Sequence, residues 1–282
     1  MPMNHRLLVP TQPPGILDFA PGAAAAYSLR NLSRSYAGPV VTVRRSSDDA
    51  EDDFTAAEVS DGTLAAFCGA GDGFVYRWWD QSGNARHAVA AADANEPQIV
   101  DAGVVILEEG KPAIDFDGTD DSLDIGAIGL SGNTPRSVFA VASPDAYPSS
   151  TGAPFLGRKV GSATFGQIFE LCVESGQFAV RIIGNAIFLD AADNLQQRLW
   201  AVLFPGGDSA AISVHKDGAQ LAYSSGSVQT LATVDSDFSV GAGTSLSLDV
   251  YFTGTMQELL VYPVELSAQR ERIEGNIAWS YS

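Results

Sequence analysis

Cysteine, histidine and basic side chains are scarce in this sequence, and each scarcity removes a class of function. The two cysteines, Cys68 and Cys172, lie far apart with no CxxC pair, and the three histidines are His5, His87 and His215. A structural zinc site needs such ligands clustered, so none is expected. The cysteines read as buried free thiols, with a single long-range disulfide as the alternative. Sixteen basic residues face 34 acidic ones, a formal net charge of −18. A surface that acidic repels phosphate backbones and anionic lipid, which argues against nucleic acid and membrane as partners. No apolar run approaches the ~20 residues of a membrane span. The opening "MPMNHRLLVPTQPPG" has too short an apolar run for a secretory signal and is interrupted by Pro10, Pro13 and Pro14. The expectation is a protein made without a signal-peptide pathway and assembled in the cytoplasm.

What is abundant is turn-forming and apolar material. With 28 glycines, 14 prolines and 45% hydrophobic residues, the chain suits many short strands around a core. Residues 1–20 are proline-rich and read as an extended arm carrying Leu7, Leu8, Val9, Ile16, Leu17 and Phe19, able to dock on a neighbouring subunit. After Pro21-Gly22, "AAAAYSLRNLSRSY" reads as a helix ended by Gly38-Pro39. "VVTVRRSS" is a strand and the acidic "DDAEDD" a solvated loop. Asp61 is the expected N-cap of a short helix "GTLAAFC" that stops at Gly69. "GFVYRWWD" is a strand, and from residue 96 strands and turns dominate. Hairpin turns are expected at Glu174-Ser175-Gly176-Gln177 and Lys216-Asp217-Gly218-Ala219. "ELSAQRERIEGNIAWSYS" is an amphipathic helix turning Leu266, Ile273, Ile277 and Trp279 or Tyr281 toward the body. The fold class is all-β, an antiparallel β-sandwich over residues 21–282 with a few short helices and a C-terminal helix.

Specific wording in the chain carries a resemblance. "AAAAYSLRNLSRSYAGPVVTVRRSSDDAEDDF", "FCGAGDGFVYRWWDQSGNARHAVAAADANEPQIV", "GKPAIDFDGTDDSLD" and the closing "GTMQELLVYPVELSAQRERIEGNIAWSYS" resemble the arabinofuranosidase B-like catalytic domain and its relatives. That resemblance implies a concanavalin A-like (laminin-G-like) jelly roll. With the proline-rich leader, the wording is also similar to bacteriophage structural proteins. In the fungal-type enzymes the nucleophilic glutamate lies in a Cys-Cys, aromatic and Gly-Asn-Ala-Glu segment. Here the middle reads "GSATFGQIFELCVESGQFAVR", where Glu170 and Glu174 are the available glutamates and the vicinal cysteines are absent. No catalytic residue is carried over.

Two other stretches invite a site. "FVYRWWDQSGNARHA" offers Trp78, Trp79, Asp80, Gln81, Asn84 and Arg86 as a glycan-binding group. Strand alternation sends the two tryptophans to opposite faces, so one belongs to the core, and Asp80 and Ser82-Gly83-Asn84 read as turn formers. "DFDGTDDSLD" concentrates Asp117, Asp120 and Asp121 as Ca²⁺ candidates, but it lacks the order of a helix-loop-helix calcium site and more naturally makes a tight turn. No cofactor is expected. "GAGDG" has the wrong order for a phosphate cradle, and His87 and His215 have no nucleophile motif beside them.

The function expected from this is a non-enzymatic virion protein, a capsid decoration or cement protein held by its N-terminal arm. Its partners would be other virion proteins, the major capsid protein or a tail component, with homo-oligomers and host glycans as further partners. A carbohydrate-binding adhesin of the head or tail is the second reading. An active arabinofuranosidase-like glycoside hydrolase is the third.

Overall fold

A computed structural model describes residues 13–146, 153–159, 166–174, 176–182, 185–189, 195–245 and 248–281. Two antiparallel sheets face each other, as the alternating pattern requires. In the back sheet, strand Arg136–Pro144 lies between Thr253–Tyr262 and Arg198–Phe204, and Ser213–Lys216 follows beyond. On the far side of Thr253–Tyr262, Ala25–Ser28 and Ile114–Asp117 lie end to end. In the front sheet, Val41–Arg45 sits between Glu51–Phe54 and Gly73–Trp78. Ala88–Ala90 then leads through Leu123–Gly126, Phe238–Val240 and Ala153–Arg158 to Glu170–Glu174, Gln177–Ile182 and Asn185–Leu189. The single pair Asp115 with Gln98 joins the sheets at one edge.

Strand Arg136–Pro144 is buried along its whole length because both of its faces are covered. Val138, Ala140 and Ala142 point between the sheets, toward a core that includes Phe155, Phe178, Trp200 and Phe252. Phe178 and Trp200 stack there with centroids 4.4 Å apart. Phe139 and Val141 point outward into a second cluster with Leu260 and Tyr262, closed by Ile16 from the N-terminal segment and by Ile273 and Ile277 from the C-terminal helix Arg270–Tyr281.

Several expectations hold. The turn Lys216–Ala219 has φ of 49° at Asp217 and 83° at Gly218, the two positive values a tight hairpin of primed type needs. Glu174 pairs with Gln177, and Gly176 has φ 79°. The C-terminal helix buries Ile273 and Ile277, with Leu266 buried just before it. Tyr281 turns inward to Gln257 and Glu258, while Trp279 is left exposed. Cys68 and Cys172 are both buried and free. Among the described residues no helix is long and apolar enough to cross a membrane.

Others are corrected. The alanine run expected as a helix is strand Ala25–Ser28, paired with Glu258–Val261 and buried at every position. Burial on both sides of the sheet outweighs a propensity worth only a few tenths of a kcal/mol per residue. The acidic "DDAEDD" is not all loop, since Glu51–Phe54 is an edge strand whose carboxylates face solvent, a charged edge that discourages pairing with another chain. Helix Thr63–Cys68 ends at Gly69 as expected but begins after Gly62, with Asp61 accepting from the Thr63 N–H at 3.0 Å.

Because Trp200 fills the space between the sheets, Trp200→Ala should cost about 3–5 kcal/mol. Trp279→Ala, on the exposed face of the helix, should stay within about 0.5 kcal/mol. Denaturant unfolding of the two variants checks both values.

Candidate functional site

The segment "ELCVE" folds as strand Glu170–Glu174, and its alternation divides its side chains. Leu171 and Val173 enter the core with Phe178, Val180 and Ile182 of the neighbouring strand. Glu170, Cys172 and Glu174 therefore share the outer face of the front sheet. Across the hairpin, Arg181 pairs with Glu170 and Ala179 with Cys172, so a guanidinium and a small residue lie between the two glutamates. The Arg181 Nη1 lies 3.5 Å from Glu170 Oε2, and its Nη2 lies 2.5 Å from Glu174 Oε2. One guanidinium thus holds both carboxyls.

Glu170 has no exposed surface. The short hairpin formed by Ala242–Ser245 and Leu248–Tyr251 lies over it, and the Thr244 N–H donates to its Oε1 at 2.7 Å. Two glycines make the slot. A Cβ on Gly243 would lie 2.3 Å from Glu170 Oε1, and one on Gly157 would lie 2.6 Å from the Ala242 carbonyl oxygen and 3.2 Å from Glu170 Cγ. Burial pushes the Glu170 carboxyl up to about 7, against the opposing pull of Arg181 and the donated N–H groups. The Cys172 thiol is pushed up to about 12 by the same burial, so it is a thiol packed in place and no nucleophile. The guanidinium of Arg181 loses solvent but is held charged by the groups around it. The arrangement supplies a carboxyl that keeps its proton near neutral pH beside a second carboxyl fixed on a cation. A proton donor and a partner carboxylate are what glycosidic cleavage requires.

The group Trp78 to Arg86 serves another purpose. Trp78 is fully buried in the core, and Trp79 is half-buried on the other face, its Nε1 donating to Thr42 Oγ1 at 2.9 Å and its ring edge-on to His87. Asp80 is buried and accepts from the N–H groups of Ala26, Ser82 and Arg86 at 2.9, 2.9 and 3.0 Å. Gln81 accepts from the Leu32 N–H and donates to the carbonyls of Ser28 and Arg30. Asn84 donates to the carbonyls of Ala23 and Ala24, and Arg86 to those of Ala24 and Ile128. These side chains tie strand Ala25–Ser28 to the end of Gly73–Trp78.

Asp117, Asp120 and Asp121 do come together, with carboxylate oxygens within 4.8 Å. Two of them are engaged by the turn itself: Asp121 accepts from the Asp117 N–H, and Asp117 accepts from those of Thr119 and Asp120. Of the arm residues, Leu7, Leu8 and Val9 lie outside the described residues. Ile16 is fully buried on the chain's own sandwich, and Leu17 and Phe19 are half-buried, with the Arg272 guanidinium 4.0 Å above the Phe19 ring.

A family model described as alpha-L-arabinofuranosidase B, catalytic, matches residues 18–105. No curated protein matches the sequence. Among solved structures, an arabinofuranosidase complexed with arabinofuranosyl-alpha-1,2-xylobiose is similar, with 16% identity and a TM-score of 0.64 over 90% of this chain and 62% of that one. A GH54 α-L-arabinofuranosidase soaked with a cyclic sulfate inhibitor gives 17% identity and a TM-score of 0.62 over the same shares, 90% and 62%. Trypanosoma rangeli sialidase in complex with sialic acid gives 16% and 0.50, over 73% of this chain and 32% of that one. The chain thus spans 62% of the length of the arabinofuranosidases it matches. At these identities the likeness shows the fold.

The expectation of a non-enzymatic virion protein, whether capsid decoration or adhesin, is corrected by these matches. The matched model describes a catalytic domain, and the similar structures named above are glycosidases. The error has a physical source. The absent Cys-Cys and Gly-Asn-Ala-Glu wording leaves no residue to carry over by motif, whereas a sheet face gathers two carboxyls from "ELCVE" and their arginine from "QFAVR". That signal was readable, because polar residues at every second position opposite an arginine define one face.

Burial of Glu170 also sets a pH dependence. The folded carboxyl holds its proton to about 7, whereas the unfolded one releases it near 4.5, so between those values the unfolded chain binds fewer protons. Stability from this group is therefore lost as pH rises from 4.5 to 7. Glu170→Gln should remove up to about 3 kcal/mol of that decline. Asp121 and Glu96, also pushed up to about 7, are unchanged between the two proteins and cancel in the difference. Urea unfolding at pH 5 and pH 7.5 measures it.

Proposed function

We propose that this chain is a glycoside hydrolase of the arabinofuranosidase type, acting on α-L-arabinofuranosides. The observation that carries the reading is the pair Glu170 and Glu174 on one guanidinium, with burial keeping a proton on the first. The catalytic-domain match over residues 18–105 and the arabinofuranosidase-like fold support it. The matched segment ends before Glu170, so the assignment of roles rests on the geometry alone.

In this reading Glu170 is the general acid. Its proton passes to the glycosidic oxygen as the bond to the anomeric carbon breaks, and Arg181 stabilises the carboxylate left behind. Glu174, fixed on the same cation, faces the positive charge that develops on the sugar ring, and water then adds to the anomeric carbon, its proton returning to the Glu170 carboxylate. Strand Ala242–Ser245 must lift from Gly157 for a sugar to reach Glu170, since the Ala242 carbonyl and Gly243 Cα pack directly on that glycine.

Release of nitrophenolate from 4-nitrophenyl α-L-arabinofuranoside tests the reading. Glu170→Gln and Glu174→Gln should each lower kcat/KM by roughly 10²–10⁴-fold. The Glu170→Gln loss should be larger on an arabinosyl-xylo-oligosaccharide, whose leaving group needs the proton more. Undiminished activity in Glu170→Gln would remove it from the role.

A further inference from the structure

Arginines elsewhere on this acidic chain find carboxylates, as Arg30 does with Glu258, Arg44 with Glu96 and Arg181 with Glu174. Arg77 does not. It lies on the outer face of the front sheet, because Trp78 beside it in strand Gly73–Trp78 enters the core. Its guanidinium carbon stands 5.4 Å from the centre of the Tyr76 ring and 4.8 Å from that of Trp79, and it makes no hydrogen bond or ion pair among the described residues. The carboxylates nearest in register are engaged elsewhere. Asp53, across Thr42, accepts from the Thr42 hydroxyl at 2.5 Å, and Asp124, across Val89, faces Lys159 at 3.4 Å. The Arg77 Nε is buried without a partner, whereas its two Nη nitrogens, also unpartnered, remain open to solvent.

The ring faces hold this cation in place but leave its N–H groups without acceptors. A second donor borders the same ring. His87 stands edge-on to Trp79 with centroids 4.5 Å apart, and its Nδ1 accepts from the Asp80 N–H at 3.1 Å, which leaves the proton on Nε2. Burial, and then the charge of Arg77, lower the imidazole's pKa, so it stays neutral at pH 7. Register carries this face to Glu170. Arg77 pairs with Val89, Val89 with Asp124, Asp124 with Ser239 and Ser239 with Gly157, against which the Glu170 side chain lies. Five strand-to-strand steps of ~4.8 Å place Arg77 roughly 24 Å from Glu170 along one face.

We propose that Arg77 anchors a subsite for an acidic sugar, a uronate whose carboxylate takes two parallel hydrogen bonds from its Nη nitrogens, on the sheet face that also carries Glu170. The two Nη N–H groups form a planar fork, and a carboxylate matches it with two oxygens in one plane. A single charge is favoured over a phosphate dianion, because the surrounding surface belongs to a chain of net charge −18. A uronate carries such a carboxylate on a sugar, and the His87 Nε2 supplies a neutral donor nearby for its hydroxyls. The shared face gives a polysaccharide chain a path between Arg77 and Glu170. Arg77 is too far away to take part in bond cleavage, so it would select acidic polysaccharides and hold them on the enzyme. The choice of a sugar rests on the glycoside hydrolase reading, whereas the open guanidinium does not.

Calorimetric titration of the full chain carrying Glu170→Gln, which prevents turnover, tests the subsite at low salt. The ligands are a glucuronic acid-substituted xylo-oligosaccharide and its carboxyl-reduced counterpart. The acidic one should bind roughly tenfold to a hundredfold more tightly. Adding Arg77→Met should remove that difference, and adding Arg77→Lys instead, which keeps the charge but not the fork, should retain only part of it. Circular dichroism confirms that each variant is folded. Equal binding of the two ligands, binding of neither, or a preference that survives Arg77→Met overturns the inference. Arg77-dependent binding of inorganic phosphate or of an oligo-aspartate peptide in preference to the uronate also overturns it, since the guanidinium would then serve another anion. Hydrolysis of 4-nitrophenyl α-L-arabinofuranoside by the wild-type chain without an Arg77-dependent preference defeats this inference alone. That preference without hydrolysis defeats the catalytic reading alone.

Discussion

Burial of the back sheet on both faces is the constraint on which the rest of the molecule depends. Strand Arg136–Pro144 and its neighbour Thr253–Tyr262 alternate apolar side chains to each side, so neither face tolerates water. The inner face is met by the front sheet through Phe155, Phe178 and Trp200. The outer face demands its own cover, and the C-terminal helix with Ile16 supplies it. The outer side of the front sheet has no apolar cluster of its own among the described residues, and at Glu170 it is covered by the strands Ala242–Ser245 and Leu248–Tyr251. That face is free to be polar, and there Glu170, Glu174 and Arg181 collect.

Much of this was legible in the residues. Alternation identified the strands, Asp217-Gly218 and Ser175-Gly176 marked the hairpins, and the spacing of Ile273 and Ile277 identified the last helix. The quoted words pointed to the β-sandwich fold. What failed was local propensity read without context. Ala25–Ser28 looks helical because alanine favours helix, yet small side chains are also what a strand needs when both its sides are packed. Glu51–Asp53 looks like loop because it is charged, yet an edge strand tolerates charge on its open side.

The candidate site was half legible. Glu170 and Glu174 were visible as the glutamates of the central segment and Arg181 closes the same segment, but Gly157 and Gly243, which admit Glu170, lie outside it. Gly243 is more than sixty residues from Glu170 in sequence, and nothing local says that its missing side chain leaves room for a carboxyl. The "WWDQSGNARHA" group erred the other way. It has the composition of a sugar site, but Asp80, Gln81, Asn84 and Arg86 bond backbone groups between Ala23 and Leu32, in and beside the first strand. Composition suggests what a residue can bind, while burial decides what it does bind.

The account turns on whether Glu170 holds a proton at neutral pH and delivers it to a glycosidic oxygen. The most direct measurement follows the glutamate carboxyls by ¹³C NMR across pH, beside the pH–rate profile for α-L-arabinofuranoside hydrolysis. The account predicts a resonance that titrates near 7, disappears in Glu170→Gln, and shares its midpoint with the alkaline fall in rate. A Glu170 resonance titrating in the ordinary carboxylate range, or a rate that does not fall as that carboxyl loses its proton, would contradict it.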